Sequence, residues 1–518
     1  MNVSWIEGRP ARQLVLFVAA SFLTRGLSLF VDILDIDEAS YAVAAQVLLR
    51  GGTLYVDVAD HHPPLAYFYY AAVQGLFGPD LLWVRVATLG LVVPGTALAL
   101  SAYFDHRARG VAAALLYVLF GASFLAHDMW AVNTEVLYLL PATWALVVVR
   151  PSSSHTIKWR PFVAGLLLGI AALVKYQAGM WWFALVAAWW VDSGISTRQA
   201  ARLTAVAALG GALPLAAAWA GFAWVGASPE FVYWNITHNL LYVQNPIAVG
   251  EAAGRAVRYA VPFAIVIAPL AYATRRSWPL LDDRYERSLL GGLFLTTGIA
   301  SMMGWRFYPH YFIQFYAPLA IGSATWLIAT WRDGNRAPLR RMAAYALGLL
   351  IVSTTVNAVL YFGPWTIYRE RLQVYGDFAR WQAADLCAPG ASLFVWGYAP
   401  SFYYESHLPP ASRFLFIEAT LTGYVPGNRA SLRPTADTAL SIRADHWQVL
   451  SEDLERHRAT YILDTSTATR LGWRSFGVAK FPVLAAYVAN HYDVVETIGG
   501  VTVYRRRHCT DGRAPEGP

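Results

Sequence analysis

Near-continuous apolar runs constrain this chain more than any motif does. Leu14–Val31, Val84–Tyr103, Gly110–Ala126, Val136–Val149 and Phe162–Val174 are such runs, and similar ones recur up to Tyr361. A helix needs roughly 20 mostly apolar residues to cross a bilayer. A helix that is apolar on every face is not the surface helix of a soluble domain. Only 14% of the residues are charged, against 57% hydrophobic. A soluble domain carries about 25% charged residues, so a polytopic helical membrane protein is expected. The run after Arg9 and Arg12 is long and lacks a small-x-small cleavage site, which favours an uncleaved first span over a signal peptide.

Eleven spans are expected, at about 14–31, 84–103, 110–126, 133–149, 162–176, 178–191, 204–225, 259–274, 288–304, 312–330 and 342–361. The fifth and sixth share a short hinge at "KYQAG". With the N-terminus inside, the cytoplasmic segments hold 17 Lys and Arg and the opposite short loops hold 5. Positive charge marks the cytoplasmic side. The N-terminus is therefore expected in the cytoplasm of a bacterial inner or plasma membrane. An odd span count puts residues after Tyr361 outside. The net charge of +7 follows from this bias and does not point to nucleic acid, because residues 362–518 carry 16 basic and 15 acidic side chains.

Three domains follow: a membrane domain 1–361, an extracytoplasmic α/β domain 362–510 and a disordered tail 511–518. In the second, "SLFVWGY", "RFLF" and "TYILDT" read as strands and "HWQVLSEDLERHR" as a helix. "YDVVETIGGVTVYRRR" reads as a hairpin with a Gly-Gly turn. Both cysteines, Cys387 and Cys509, lie here, and a disulfide and two thiols are both compatible with the sequence. The first outer loop, 32–83, carries "DEASYAVAAQVLLRGG" and "HHPPLAYFYYAAVQGLFG", which suit interfacial helices. "NIT" at Asn235 is a glycosylation sequon, a weak three-residue match.

Asp32, Asp35, Asp37 and Glu38 follow the first apolar run directly. A solvated span end accounts for Asp32. Asp37 suits the start of the following helix, where the helix dipole favours a carboxylate. Arg25 lies inside the first span, about two turns before Asp32, and is expected to pair with this cluster rather than snorkel outward. "DEASYA", "YVDVADHHPPLAYFYYA" and "GWRFYPHYFIQFYAPLA" together resemble the bacterial relatives of dolichyl-phosphate-mannose protein mannosyltransferases. These belong to the GT-C superfamily, with the lipid A aminoarabinose transferases and lipopolysaccharide-core galacturonosyltransferases. "WGYAPSFYYESHLPPASRF" extends the resemblance beyond the membrane half.

The resemblance implies a GT-C fold and an inverting transfer of sugar from a polyprenyl phosphate to a glycan, lipid or protein at the outer membrane face. It matches Asp37 to the family's catalytic base and Glu38 to its neighbour. The leaving lipid phosphate calls for cations, and His62, Lys175, Arg306 and His310 are the candidates, with Tyr308 and Tyr311 beside them. His61–His62 stand before Pro-Pro where some relatives have Lys before one Pro. Glu135 falls where relatives carry a second acidic residue. No cofactor is expected. No metal is expected either, because His61, His62, His127, Asp128 and Glu135 match no standard ligand spacing. Trp130, Trp234 and Trp305 are candidate sugar-stacking residues. The alternatives are a transporter or flippase, or a non-catalytic scaffold of envelope assembly. A transporter commonly shows internal repeats, and none is visible here.

The charge bias makes a direct prediction. Alkaline phosphatase fused after residue 380 is expected to be active, and a cytoplasmic reporter there silent. The reverse pattern would overturn the expected orientation.

Overall fold

In a computed structural model the described residues are 10–150, 159–244, 247, 249–281, 283–364, 366–385, 387, 389–417, 419–424, 442–468, 471 and 474–507. Cys509 and the expected tail 511–518 lie outside them. Cys387 is buried and disulfide-bonded. Among the described residues, seven helices are long and apolar enough to cross a membrane: Pro10–Phe30, Leu81–Ala102, Thr197–Trp224, Val249–Leu280, Arg284–Trp305, Pro309–Arg332 and Ala337–Phe362. Thr134–Val149 and Arg160–Val174 are shorter apolar helices. Each of the eleven expected segments contains a helix, but Arg107–Phe120 and Trp181–Val191 have only 14 and 11 residues. By length and composition, seven of the eleven expected crossings are supported among the described residues. The "KYQAG" hinge is real: a 3₁₀ turn, Tyr176–Met180, separates Arg160–Val174 from Trp181–Val191.

The chain falls into two compact units. The first holds Met1–Asp35, His62–Ser228 and Ala252–Ala358. Pro309–Arg332 is its central helix, with 83% of its apolar window buried, against 11% for Thr197–Trp224. Arg160–Val174 and Thr197–Trp224 pack with their backbones in contact: a Cβ on Gly165 would stand 1.9 Å from the Ala207 carbonyl oxygen. Small residues allow this approach where lipid gives helices no hydrophobic reason to associate. Two buried arginines tie the helix ends. Arg85 donates to the carbonyls of Ser28 at 2.7 Å, Val31, and Asp32 at 3.2 Å, closing off the first span. Arg25 does not show the expected acidic pairing among its hydrogen bonds. Its Nη1 donates to the Val118 carbonyl at 3.1 Å and Thr24 Oγ1 at 3.2 Å, because the helix turn aims it at the neighbouring helix.

The second unit holds Ile36–His61, Pro229–Glu251 and Val359–Pro518, so two segments from the expected membrane domain belong with the C-terminal segment. Its sheet has the order β1-β2-β4-β3, with β1 (Leu393–Trp396), β2 (Tyr461–Asp464), β3 (Tyr492–Ile498) and β4 (Val501–Arg506). β1 and β2 are parallel and buried at every position, as parallel strands usually are. The β3–β4 hairpin turns at Gly499 (φ 55°) and Gly500 (φ 85°), both in the left-handed region that the two-residue turn requires. "RFLF" is not a sheet strand; Phe414 makes an isolated parallel bridge to Ala59. The helix Ile36–Leu49 is buried at every residue from Glu38 to Gln46, unlike an interfacial helix with one open face. Asn235 of the sequon is 3% exposed and donates to the Phe231 carbonyl, so its amide is engaged within the fold.

A histidine cluster closes this unit. His238 and His446 flank Trp234, with ring centroids at 5.0 and 5.6 Å, and His446 Nδ1 lies 2.7 Å from Thr420 Oγ1. Burial holds both imidazoles neutral, pushing each pKa from 6.5 down to about 4. An unfolded chain takes up these protons near pH 6.5, while the folded one resists until about pH 4. Stability is therefore full above pH 6.5 and is lost as the pH falls toward 4. Thermal unfolding across this window is expected to show the loss, and His446→Gln is expected to flatten it. A pH-independent midpoint would contradict the neutral cluster.

Candidate functional site

The first unit buries several charged groups together. Lys175 is where the helix Arg160–Val174 breaks: its backbone is extended (φ −155°, ψ 123°), and the 3₁₀ turn starts at the next residue. This break aims Lys175 Nζ at Glu135, with which it forms an ion pair, Lys175 being 7% and Glu135 1% exposed. Glu135 is in the first turn of Thr134–Val149, where unpaired backbone N–H groups favour a carboxylate. Lys175 Nζ also lies 4.5 Å from the centre of the Tyr311 ring. Tyr311 meets His310 edge to face at 4.9 Å, and Tyr308 stacks on His310 at 5.5 Å.

Asp128 anchors the second part. His127 Nε2 lies 2.8 Å from its Oδ2. His310 places Nδ1 3.1 Å from Oδ1 and donates its backbone N–H to the same oxygen at 3.2 Å. Asn133 Nδ2 donates to the Asp128 carbonyl at 3.0 Å. Burial disfavours charge on Asp128, but His127 and His310 overcome it and hold the carboxyl well below the usual range. In turn, burial lowers and Asp128 raises the His127 pKa, with a net rise. One ligand atom each from Asp35, Asp128 and His310 fall within 4.8 Å of one another, a set that could hold a divalent cation. Sequence spacing hides this set, because its members come from three distant stretches.

Arg306 is fully buried. Gly304 (φ 68°), Trp305 (φ 57°) and Phe307 (φ 47°) all adopt left-handed backbone around it. Such strain in two non-glycine residues needs surrounding contacts to hold it. Arg255 supplies one: its Nε donates to the Arg306 carbonyl, and its guanidinium covers the Tyr308 ring at 4.6 Å. Arg255 and Asp128 are the residues that sequence reasoning missed as site members. Trp305 is 54% exposed, whereas Trp130 and Trp234 are each 4% exposed and therefore poor stacking platforms.

The second unit carries Asp37 and Glu38, in the first turn of Ile36–Leu49. Asp37 is half-buried and Glu38 fully buried. Ser40, one turn further, donates to Asp60 Oδ2 at 3.1 Å. Asp32 is exposed, as expected of a solvated span end. His62, in the first unit, is half-buried. The expected set thus divides: Glu135, Lys175, Tyr308, His310 and Tyr311 neighbour one another in the first unit, Arg306 is linked to Tyr308 there through Arg255, and Asp37 and Glu38 belong to the second.

The Lys175–Glu135 pair predicts a double-mutant result. Removing one partner strands a buried charge, so Lys175→Met or Glu135→Leu alone is expected to cost about 3–5 kcal/mol. The double variant is expected to recover most of that. Thermal unfolding in detergent tests it, and additive losses would show that the two charges are not coupled.

No protein-family model and no curated sequence matches the chain. Solved structures do. ArnT from Cupriavidus metallidurans in the apo state aligns over 96% of this chain and 99% of that one, at 16% identity and a TM-score of 0.61. ArnT bound to undecaprenyl phosphate aligns over 99% and 100%, at 14% identity and a TM-score of 0.60. The Archaeoglobus fulgidus oligosaccharyltransferase in the apo form aligns over 98% of this chain and 75% of that one, at 13% identity and a TM-score of 0.52. At these identities the likeness is one of fold: the chain shares the fold of ArnT and of the Archaeoglobus fulgidus oligosaccharyltransferase.

Proposed function

We propose that this protein is an integral-membrane inverting glycosyltransferase. It moves a sugar from a polyprenyl-phosphate donor to a glycan, lipid or protein acceptor at the outer face of the membrane. One observation carries this reading: a buried cluster of Lys175, Glu135, His310 and Asp128, in a fold that ArnT uses while bound to undecaprenyl phosphate. Buried charges in a membrane protein are costly and point to function.

The chemistry is one displacement. The acceptor oxygen attacks the anomeric carbon, the bond from that carbon to the phosphate oxygen breaks, and the acceptor proton goes to a base. Asp37 is that base, and Glu38, buried beside it, orients the start of the helix. The departing lipid phosphate gains negative charge, which Lys175, Arg306, His310 and His62 offset. Glu135 fixes the Lys175 ammonium, and Tyr308 and Tyr311 hold His310 in place. No cofactor is needed for this displacement.

Asp37→Asn keeps the size of the side chain and removes its capacity to take a proton. Transfer is expected to fall by about 10²–10⁴-fold, the usual contribution of a general base. Donor affinity is expected to change little, and Asp32→Asn to be mild. Transfer rate and donor binding, at matched expression and thermal stability, test this. Near-normal turnover in Asp37→Asn would remove Asp37 from the mechanism.

A further inference from the structure

We propose that the C-terminal segment of the chain is a brace for the helix that carries Asp37, with Ser40, Asp60, Arg413 and Asp453 as positioning residues. This rests on Asp37 being the base, as proposed above. The sequence alone suggests an appended domain. The structure instead groups Ile36–His61 with Val359–Pro518 in one compact unit. Within that unit a continuous series of bonds leads from the helix to the domain.

The series starts one turn after Asp37. Ser40 Oγ donates to Oδ2 of Asp60 at 3.1 Å, and the Asp60 carboxylate is 2% exposed. Its other oxygen accepts the His61 N–H at 2.6 Å. A buried carboxylate is thus held between the helix and its own chain segment. The preceding residue, Ala59, donates its N–H to the Arg413 carbonyl at 2.8 Å and forms a parallel bridge with Phe414.

Residues 412–414 are themselves clamped by Asp453, on the helix Ala444–His457. Asp453 Oδ2 accepts from Ser412 Oγ at 3.3 Å, from the Arg413 N–H at 3.0 Å and from Arg413 Nε at 3.0 Å. Its Oδ1 accepts from Arg413 Nη2 at 2.9 Å. Four donors on one carboxylate that is 2% exposed fix both the backbone and the guanidinium of Arg413. At the far end of the helix Ile36–Leu49, Arg50 Nη2 reaches the His407 carbonyl at 3.4 Å. Both ends of the helix are therefore attached to the C-terminal segment, and the end nearer Asp37 is attached through buried charge.

A base works only when held at hydrogen-bond reach of its proton, and a shift of about 1 Å can cost about 10²-fold in rate. Releasing the brace should then lower turnover without weakening donor binding. The experiment uses the full-length protein in detergent or nanodiscs, with a polyprenyl-phosphate sugar donor. Ser40→Ala removes one hydroxyl and is not expected to unfold the chain; Asp453→Asn weakens the clamp; Asp37→Asn is the reference. Ser40→Ala and Asp453→Asn are each expected to lower kcat by about 10-fold or more, with donor Kd within about 2-fold of wild type. Ser40→Thr, which keeps the hydroxyl, is expected to restore kcat. In an Asp37→Asn background neither substitution is expected to cause a further loss, because each acts through Asp37. Unchanged kcat in both variants at wild-type melting temperature, or an equal loss in the Asp37→Asn background, would overturn the brace while leaving the proposed reaction intact. Wild-type turnover in Asp37→Asn would instead overturn the base and the brace together.

Discussion

The rest of the site depends on one interaction, the buried ion pair of Lys175 and Glu135. An ammonium and a carboxylate inside a membrane protein are tolerated only when each satisfies the other in a fixed geometry. That geometry requires the helix Arg160–Val174 to stop at Lys175 and the helix Thr134–Val149 to start just before Glu135. It also sets Lys175 against Tyr311, and so orders the Tyr308–His310–Tyr311 stack beside Asp128. On the proposed function the same pair would serve folding and chemistry: a cation already held by a buried carboxylate costs little further ordering when a phosphate approaches it.

Much of the fold was legible because the bilayer leaves so few solutions. Apolar runs located helices throughout the first 361 residues, and "KYQAG" located the break that Lys175 occupies. Span number was less legible, because apolar composition does not report where a helix ends; Arg107–Phe120 and Trp181–Val191 are short for a crossing. In the C-terminal segment, short continuous apolar runs marked β1 and β2, and the Gly-Gly turn marked the hairpin. "RFLF" has the same apolar character, but its bridge is to Ala59, about 350 residues earlier, a pairing that local pattern does not encode.

The candidate site was legible where the family resemblance supplied a role for a charge. Lys175, Glu135 and Arg306 stood out in that way. Asp128 and Arg255 did not, because each lies among other polar residues in a loop or at a helix end. Their roles come from partners distant in sequence: His310 for Asp128, and Arg306 and Tyr308 for Arg255. Arg25 was misjudged for a related reason. Its neighbours along the chain are acidic, but its hydrogen bonds run to Thr24 and to the Val118 carbonyl across a helix interface. Charge proximity in sequence is a weak guide when a backbone carbonyl is nearer in space.

On the proposed function, this buried charge serves displacement of a sugar from a lipid phosphate. The most direct measurement incubates the purified protein with a panel of polyprenyl-phosphate sugars and acceptors, and reads the product's anomeric configuration by NMR. The account predicts consumption of one donor, release of polyprenyl phosphate and a glycoside of inverted configuration. Retained configuration, or movement of intact donor across a bilayer with no bond broken, would contradict it.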